Sequence, residues 1–519
     1  MSPANRTQLS RVTDADQDAR AIREIVNAHK DWFMSIDGRS PLDINADEFD
    51  FSVAHGRLMF SSWTESGSRV WRISAWNWNG EKMLLNASRK LGAENSELQL
   101  VPHASAKAIV ANIAAARQER CEKLAQIVSQ FIPNSKIERA ALSPGMRRDQ
   151  PGRYARIILR LPHERIAVTG TVAQSDARNV DSLFSSALLW FQRVMESPKR
   201  PRIERLLLVA EHSILDAARQ RHVLLRDSLR DRIQLLEIDD EWTRVAPIAR
   251  FERKHIWRKR LTRFPPVNDA EPSGRTHEIV ARGPQAVDVV ASRHGHTLRF
   301  HGLPFARTRR VMEQDRIWFG IEGSQRRLLN DFHQSDWAKL LLDLETYRHA
   351  DCRDRRHWLY RAAGEAWLES ILRRDITRLD PGLIIAPLHA QFRTSHSGGF
   401  GASGARPIDM LALRHDGRLV VIELKVAEDR EHVFQGVDYW RRVEAHRRRG
   451  HISSAKLFDE REVSDESPLV YLVAPTLHFH PSFRTLARTI APDIEIYRFD
   501  VNEDWRSGVR VVRRERVNA

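Results

Sequence analysis

The sequence predicts a mixed α/β (α+β) protein of two tandem halves, each a small β-rich subdomain followed by a helix, three strands, a helix and a further strand. Three observations predict it. Strand-like runs give way to helix-periodic runs in the same succession twice. Short segments of the second half echo segments of the first in the same order. A Pro-rich, polar stretch from Thr262 to Arg275 lies between the two series.

Taken in order, residues 1–45 read as a polar N-terminal extension with one short helix near Ala21 to Phe33. Residues 46–262 open with the strand-like runs RLMFSSW, RVWRISAWNW and ELQLV, then a long helical stretch from Ala104 to Phe131. Arg153 to Leu161 and Arg165 to Thr171 read as a hairpin, and Ser182 to Glu196 as an apolar helix. RIERLLLVAE, a helix to about Arg230 and RIQLLEID complete a strand–helix–strand unit. Residues 263–275 form the linker, 276–350 a second β-rich subdomain with a helix, and 351–519 the second core.

The echoes run through the whole length. HGHTLRF at 294–300 repeats HGRLMF at 55–60, and GVDYWRRVE at 436–444 repeats ALLWFQRVM at 187–195. PLVYLVAP at 468–475 answers RLLLVAE at 205–211. These point to an internal duplication. Aligning Arg165 with Arg418 sets Arg156, Gly170 and Val172 at the places of Asp409, Glu423 and Lys425.

Composition bounds the function. A 42% hydrophobic content with 14 Trp belongs to a folded chain. A formal charge of +15 suggests a polyanionic partner, because Lys and Arg attract phosphate over long range. Cys121 and Cys352 are the only cysteines, so no disulfide framework is implied. The first 25 residues lack the apolar segment of a signal peptide, and no run reaches the ~20 apolar residues of a membrane span. A soluble, cytoplasmic protein is expected.

The densest chemistry lies in Arg406 to Lys425, RPIDMLALRHDGRLVVIELK. Two apolar strands flank His415-Asp416-Gly417, which fits a three-residue hairpin loop closed by glycine in the left-handed region. Pairing Arg414 with Arg418 then sets Asp409 opposite Glu423, with Lys425 on the same face. A two-residue Asp-Gly turn would instead set Asp409 opposite Leu424 and split the group. Two carboxylates and an ammonium on one face of an apolar hairpin are costly to bury. A hard divalent cation held by the carboxylates would remove that cost.

Asp409, thirteen intervening residues, then Glu423-Leu424-Lys425 resembles the PD-(D/E)XK nuclease superfamily, with Pro407-Ile408-Asp409 a loosened form of its Pro-Asp. The resemblance covers about 355–514. It implies an αβββαβ core and Mg²⁺-dependent cleavage of phosphodiester bonds, with Mn²⁺ as the alternative cation and DNA expected before RNA. It implies that Asp409, Glu423 and the Leu424 carbonyl bind the cation, and that Lys425 positions or helps deprotonate a water. A glutamate on the first core helix completes the metal site in such nucleases, and Glu365 or its i+4 neighbour Glu369 suits that role, Glu365 being preferred. The first half, with Arg, Gly and Val in place of those groups, is then a catalytically dead copy that packs or holds nucleic acid.

Two further stretches bear on the site. LIIAPLHAQF at 383–392 reads as the first core strand, with Gln391 near its end, and the glycine-rich 397–405 as a substrate-edge loop. A helix from Val433 to Arg448 buries Val433, Val437, Trp440 and Val443, while Gln435, Tyr439, Arg442 and His446 share another face. Gln435 and Tyr439 look like the glutamine–tyrosine pair of several branches of the superfamily, which makes Gln435 a candidate catalytic residue. Tyr439, Arg442, Arg447 and Arg448 suit nucleic-acid contacts. The rival reading is a nucleic-acid-binding protein on the same fold without catalysis.

Overall fold

The computed structural model describes the chain from Leu9 to Ala519, apart from residues 30, 37–41, 55, 65–66, 90–93, 146–150, 174–179, 250, 258–260, 262–263, 265–270, 293–294, 312–313, 322–325 and 393–407. The loop 397–405 therefore lies outside the described residues, as do Arg406, Pro407 and the side chain of Gln391.

The N-terminal segment is not an extension. A helix over Ala15–Asn27, capped by the Asp14 carboxylate on two backbone N–H groups, buries Ala19, Ile22 and Val26. They join Trp32, Met34, Phe51 and Phe60 in the core of an eight-stranded sheet that takes strands from both sides of residue 45. The second β-rich unit is a five-stranded antiparallel sheet between Val287 and Leu328, its core closed by Trp337 and Leu344 of the helix Gln334–Tyr347.

Each β-rich unit leads into a core of one topology. The first holds α1 (His103–Phe131), β1 (Lys136–Pro144), β2 (Pro151–Arg160), β3 (Arg165–Thr171), α2 (Val180–Met195), β4 (Ile203–Glu211), α3 (His212–His222), β5 (Ile233–Ile238) and β6 (Val245–Pro247). The second holds α4 (Gly364–Arg374), β7 (His389–Phe392), β8 (Ile408–Leu413), β9 (Leu419–Leu424), α5 (His432–Arg447), β10 (Leu469–Pro475), α6 (Phe483–Ala487), β11 (Ile496–Val501) and β12 (Val511–Arg516). The sheets run in order β1 to β6 and β7 to β12. In both, the first three strands are antiparallel, the next two join in parallel, and the last is antiparallel. The mixed α/β class stands, in two parts.

Three local expectations are corrected. The strand β1 was invisible beside its strongly apolar neighbours, because its residues are mostly exposed. The first strand of the second core begins only at His389, with Leu383 making an isolated bridge to Arg414. Pro387 lacks the N–H that a ladder needs there. The linker is not free chain either: Phe264 stacks on His446 with ring centres 4.3 Å apart.

The halves share one hydrophobic core. Val180, Phe184, Leu188 and Phe191 of α2 pack with Val433, Phe434, Val437 and Trp440 of α5 and with strands from both sheets. Sandwiched between that helix and its own sheet, α5 is buried almost all round, its polar positions Gln435, Tyr439, Arg442 and His446 included.

Gly302 seats the second β-rich sheet on α4. Its φ is +79°, and a Cβ there would lie 1.9 Å from the Ala366 carbonyl oxygen, next to Glu365. Gly302→Ala is expected to cost about 3 kcal/mol or more from overpacking and left-handed strain together. Urea unfolding measures it, and a midpoint equal to the parent's contradicts this account.

Candidate active site

The hairpin β8–β9 has the three-residue loop. Gly417 adopts φ +79°, its N–H donates to the Arg414 carbonyl at 3.0 Å, and Arg414 N–H donates to the Arg418 carbonyl at 2.9 Å. The ladder pairs Leu413 with Leu419, Leu411 with Val421 and Met410 with Ile422, so Asp409 comes opposite Glu423 and not opposite Leu424. The Leu424 N–H donates to Asp409 Oδ2 at 2.8 Å, tying the carboxylate to its neighbour strand. The Leu424 side chain points away, into the core packed on α4.

Lys425 and Glu423 meet directly, Nζ donating to Oε1 at 2.6 Å. Glu423 is 1% exposed and Lys425 9%. Glu365 Oε1 and Asp429 Oδ2 each lie 3.9 Å from the same ammonium. Of the two α4 glutamates, Glu365 faces this group. Glu369 is buried and lies 3.7 Å from Arg299 of the β-rich sheet.

Burial pushes the Asp409 carboxyl above its ordinary range, against the pull of Lys425. Burial first, and then the Asp409 charge, push Glu423 up as well. Burial alone would lower Lys425, but Glu423, Glu365 and Asp409 hold it above the ordinary lysine value. Glu423 Oε2 is buried and receives no hydrogen bond from a donor among the described groups, its near neighbour being the Asp409 carboxyl, a costly state for two ionised carboxylates.

The α5 residues divide. Tyr439 is buried beside this pair, its hydroxyl pushed up by burial and then by the Glu423 charge. The Arg442 guanidinium stands over the Tyr439 ring at 4.5 Å. Gln435 is 4% exposed in the turn before Tyr439. Arg447 and Arg448 lie roughly two turns further along and both clamp the fully buried Glu444, at 2.7 and 2.6 Å. They answer an internal charge and do not join the carboxylates.

Two neighbours escaped the sequence reading. Asp429 follows Lys425 by four residues in the β9–α5 loop, and its approach depends on a loop path that periodicity does not encode. Buried His432 lies 3.3 Å by Nε2 from the Glu423 carbonyl, its pKa driven down to about 3 by burial and then by Lys425. It is a neutral prop for the strand end. His478 and His480 sit in a surface turn with Glu503 and Ser482, and both cysteines are buried and free.

In the first core the four-residue loop from Leu161 to Glu164 shifts the register by one. Arg156 therefore faces Thr169, not Gly170, and Thr171 rather than Val172 follows on that face. Gly170 looks the other way, toward Leu124 of α1. The Thr169 hydroxyl is already spent on the Ala155 carbonyl at 2.7 Å. None of these side chains offers a carboxylate.

Asp409 and Glu423 are thus the side chains that could hold a hard cation, and Glu423 Oε2, without a donor among the described groups, fits that chemistry. Among the described residues no group of three or more His, Cys, Asp or Glu side chains is gathered to hold a metal. None of the described helices is long and apolar enough to cross a membrane. No family model matches the chain, and no curated protein does. Among solved structures, that of an EndoMS–dsDNA2 complex is similar over 46% of this chain and 98% of that chain, with 8% identity and a TM-score of 0.17. So slight a likeness carries neither fold nor function across.

Proposed function

We propose that the chain is a divalent-cation-dependent nuclease that hydrolyses phosphodiester bonds, with DNA as its substrate and the second core as its catalytic part. The observation that supports this is one cluster: two buried carboxyl groups and a lysine on one strand-pair face, with a carboxylate oxygen that receives no hydrogen bond from a donor among the described groups. The net charge of +15 suits a phosphate backbone.

Asp409 and Glu423 would hold Mg²⁺ or Mn²⁺, with Glu365 at the rim and the Leu424 carbonyl as a main-chain ligand. A cation bound there lowers the pKa of a water and stabilises charge on the phosphoryl oxygens. Lys425 lends a positive charge beside the pentavalent transition state. The Leu424 N–H holds Asp409 in place, Tyr439 walls the site from α5, and Gln435, one turn earlier on that helix, would orient Lys425 or a phosphate. The water oxygen bonds to phosphorus, one P–O ester bond breaks, and the leaving oxygen takes a proton.

The common topology of the two cores supports descent by duplication, with the first as the copy that lost catalysis. One observation favours the rival, non-catalytic reading: Lys425 already neutralises Glu423 at 2.6 Å. Purified protein with labelled DNAs and RNAs, in Mg²⁺ or Mn²⁺ against EDTA, decides. Cleavage of DNA that EDTA stops is expected. Binding with no cleavage of any substrate favours the rival. Calorimetric titration of Mn²⁺ should show a site that Asp409→Asn weakens at least tenfold; equal affinity refutes the ligand assignment.

A further inference from the structure

The two cores meet through equivalent parts. α2 packs on α5, with the Phe184 and Phe434 rings 5.9 Å apart. The segments that follow α3 and α6 pair with each other as an antiparallel bridge at Leu225 and Ile490. Arg226 N–H donates to the Thr489 carbonyl and Ala491 N–H to the Leu224 carbonyl, both at 2.9 Å. Equivalent segments meeting antiparallel mark a two-fold interface, here within one chain. The backbones of duplex DNA are also related by two-fold axes, which is why two-fold proteins engage it symmetrically.

The chemistry across this pseudo-dyad is unequal. The second core presents Asp409, Glu423 and Lys425. The first presents Arg156 opposite Thr169. Arg156 is half-buried, its guanidinium 5.9 Å from the Trp190 ring. Burial and then the charges of Arg193, Arg430 and Arg139 lower it to about 10, so among the described residues the charges that act on it are those of arginines. Arg430 belongs to the second half, and its carbonyl accepts from the Ser185 hydroxyl at 3.3 Å. Glu431 lies nearby, acting on Tyr154 together with Arg153 and Arg430. A cluster of like charges that repel one another is relieved by a polyanion, and guanidinium suits phosphate geometrically.

We propose that the chain engages duplex DNA as a one-chain pseudo-dimer: the second core cuts one strand, and the first grips the phosphates of the other through Arg156 and its neighbours, so that each binding event leaves a nick. The inference rests on the nuclease reading above. Hydrolysis at the second core breaks one P–O bond with one water. In the first core Arg156 and Thr169 face each other at the matching place, and neither can repeat the step on the gripped strand.

Two measurements on the full chain test it. Supercoiled plasmid with Mg²⁺ and enzyme in excess should pass to the nicked circle, with linear DNA absent from the first products. Linear product from the outset overturns the inference while leaving the nuclease reading intact. A plasmid untouched in Mg²⁺ and Mn²⁺ overturns the nuclease reading and the nick with it. The grip is read separately, in EDTA. Arg156→Glu with Arg193→Glu should bind a 30-base-pair duplex about tenfold more weakly, with single-strand affinity within about twofold of the parent's. Equal duplex affinity overturns the grip. Arg193→Glu alone, at an exposed position, should shift duplex binding in the same direction, and thermal melting checks that each variant is folded.

Discussion

Asp409→Asn is expected to lower Mg²⁺-dependent cleavage by about a thousandfold or more while duplex binding in EDTA stays within about twofold. The magnitude follows from losing several kcal/mol of transition-state stabilisation, at 1.36 kcal/mol per tenfold. Asparagine keeps the shape and an acceptor for the Leu424 N–H, so the strand pairing at 2.8 Å persists. Lys425→Met should cost cleavage to a similar degree, but the two variants separate in stability. Asp409 is a carboxylate that burial disfavours, with the charges of Glu365 and Glu369 adding to the strain. Removing its charge should leave melting in EDTA equal to the parent's or higher, as happens where a site is kept at the expense of stability. Lys425 is the cation within 4 Å of Glu423, Glu365 and Asp429. Removing it strands a buried carboxylate and should lower the melting temperature. Activity within tenfold of the parent in both variants excludes the site.

What the sequence disclosed follows from the range of each signal. The β8–β9 register was legible because Gly417 and the loop length are local, and they decide which residues face each other. The same logic failed in the first core: its loop is one residue longer, and a one-residue slip exchanges the faces. The helix read near Ala21 to Phe33 lies at Ala15–Asn27, and Asp31–Ile36 is a strand; with only Ala19, Ile22 and Val26 buried in an otherwise polar segment, the helix start left little trace. That Arg447 and Arg448 clamp Glu444 was not legible, because the complete burial of Glu444 shows only in three dimensions. The apolar run of α2 announced burial without naming its partner. That partner is α5, some 250 residues away, a distance over which no pattern in one sequence reports.

Arg221→Met is expected to destabilise the chain by about 3–5 kcal/mol, the range for breaking a buried ion pair. Arg221 of α3 is buried and joins the halves, donating by Nε to Asp181 of α2 at 2.7 Å and by Nη1 to Asp438 of α5 at 2.6 Å. Methionine fills the stem's volume, so the loss comes from charge and hydrogen bonding, not from a cavity. Asp438 keeps Arg441 at 2.7 Å and Arg442 at 3.3 Å, so most of the cost falls on Asp181. The sign of the pH dependence follows. Burial opposes ionisation of Asp438, but Arg221, Arg441 and Arg442 hold its carboxyl well below the ordinary range. Its stabilisation is complete above the unfolded carboxylate pKa of about 4 and is lost as pH falls toward the lower folded value. The gap between Arg221→Met and the parent should therefore be widest near neutral pH and narrow below pH of about 4. Asp181→Leu added to Arg221→Met should recover part of the loss, because it removes the stranded charge. Urea unfolding at several pH values measures all three. A gap that is constant with pH, or no recovery in the double variant, would show that Arg221 acts through packing and that its ion pairs add nothing to the joining of the two cores.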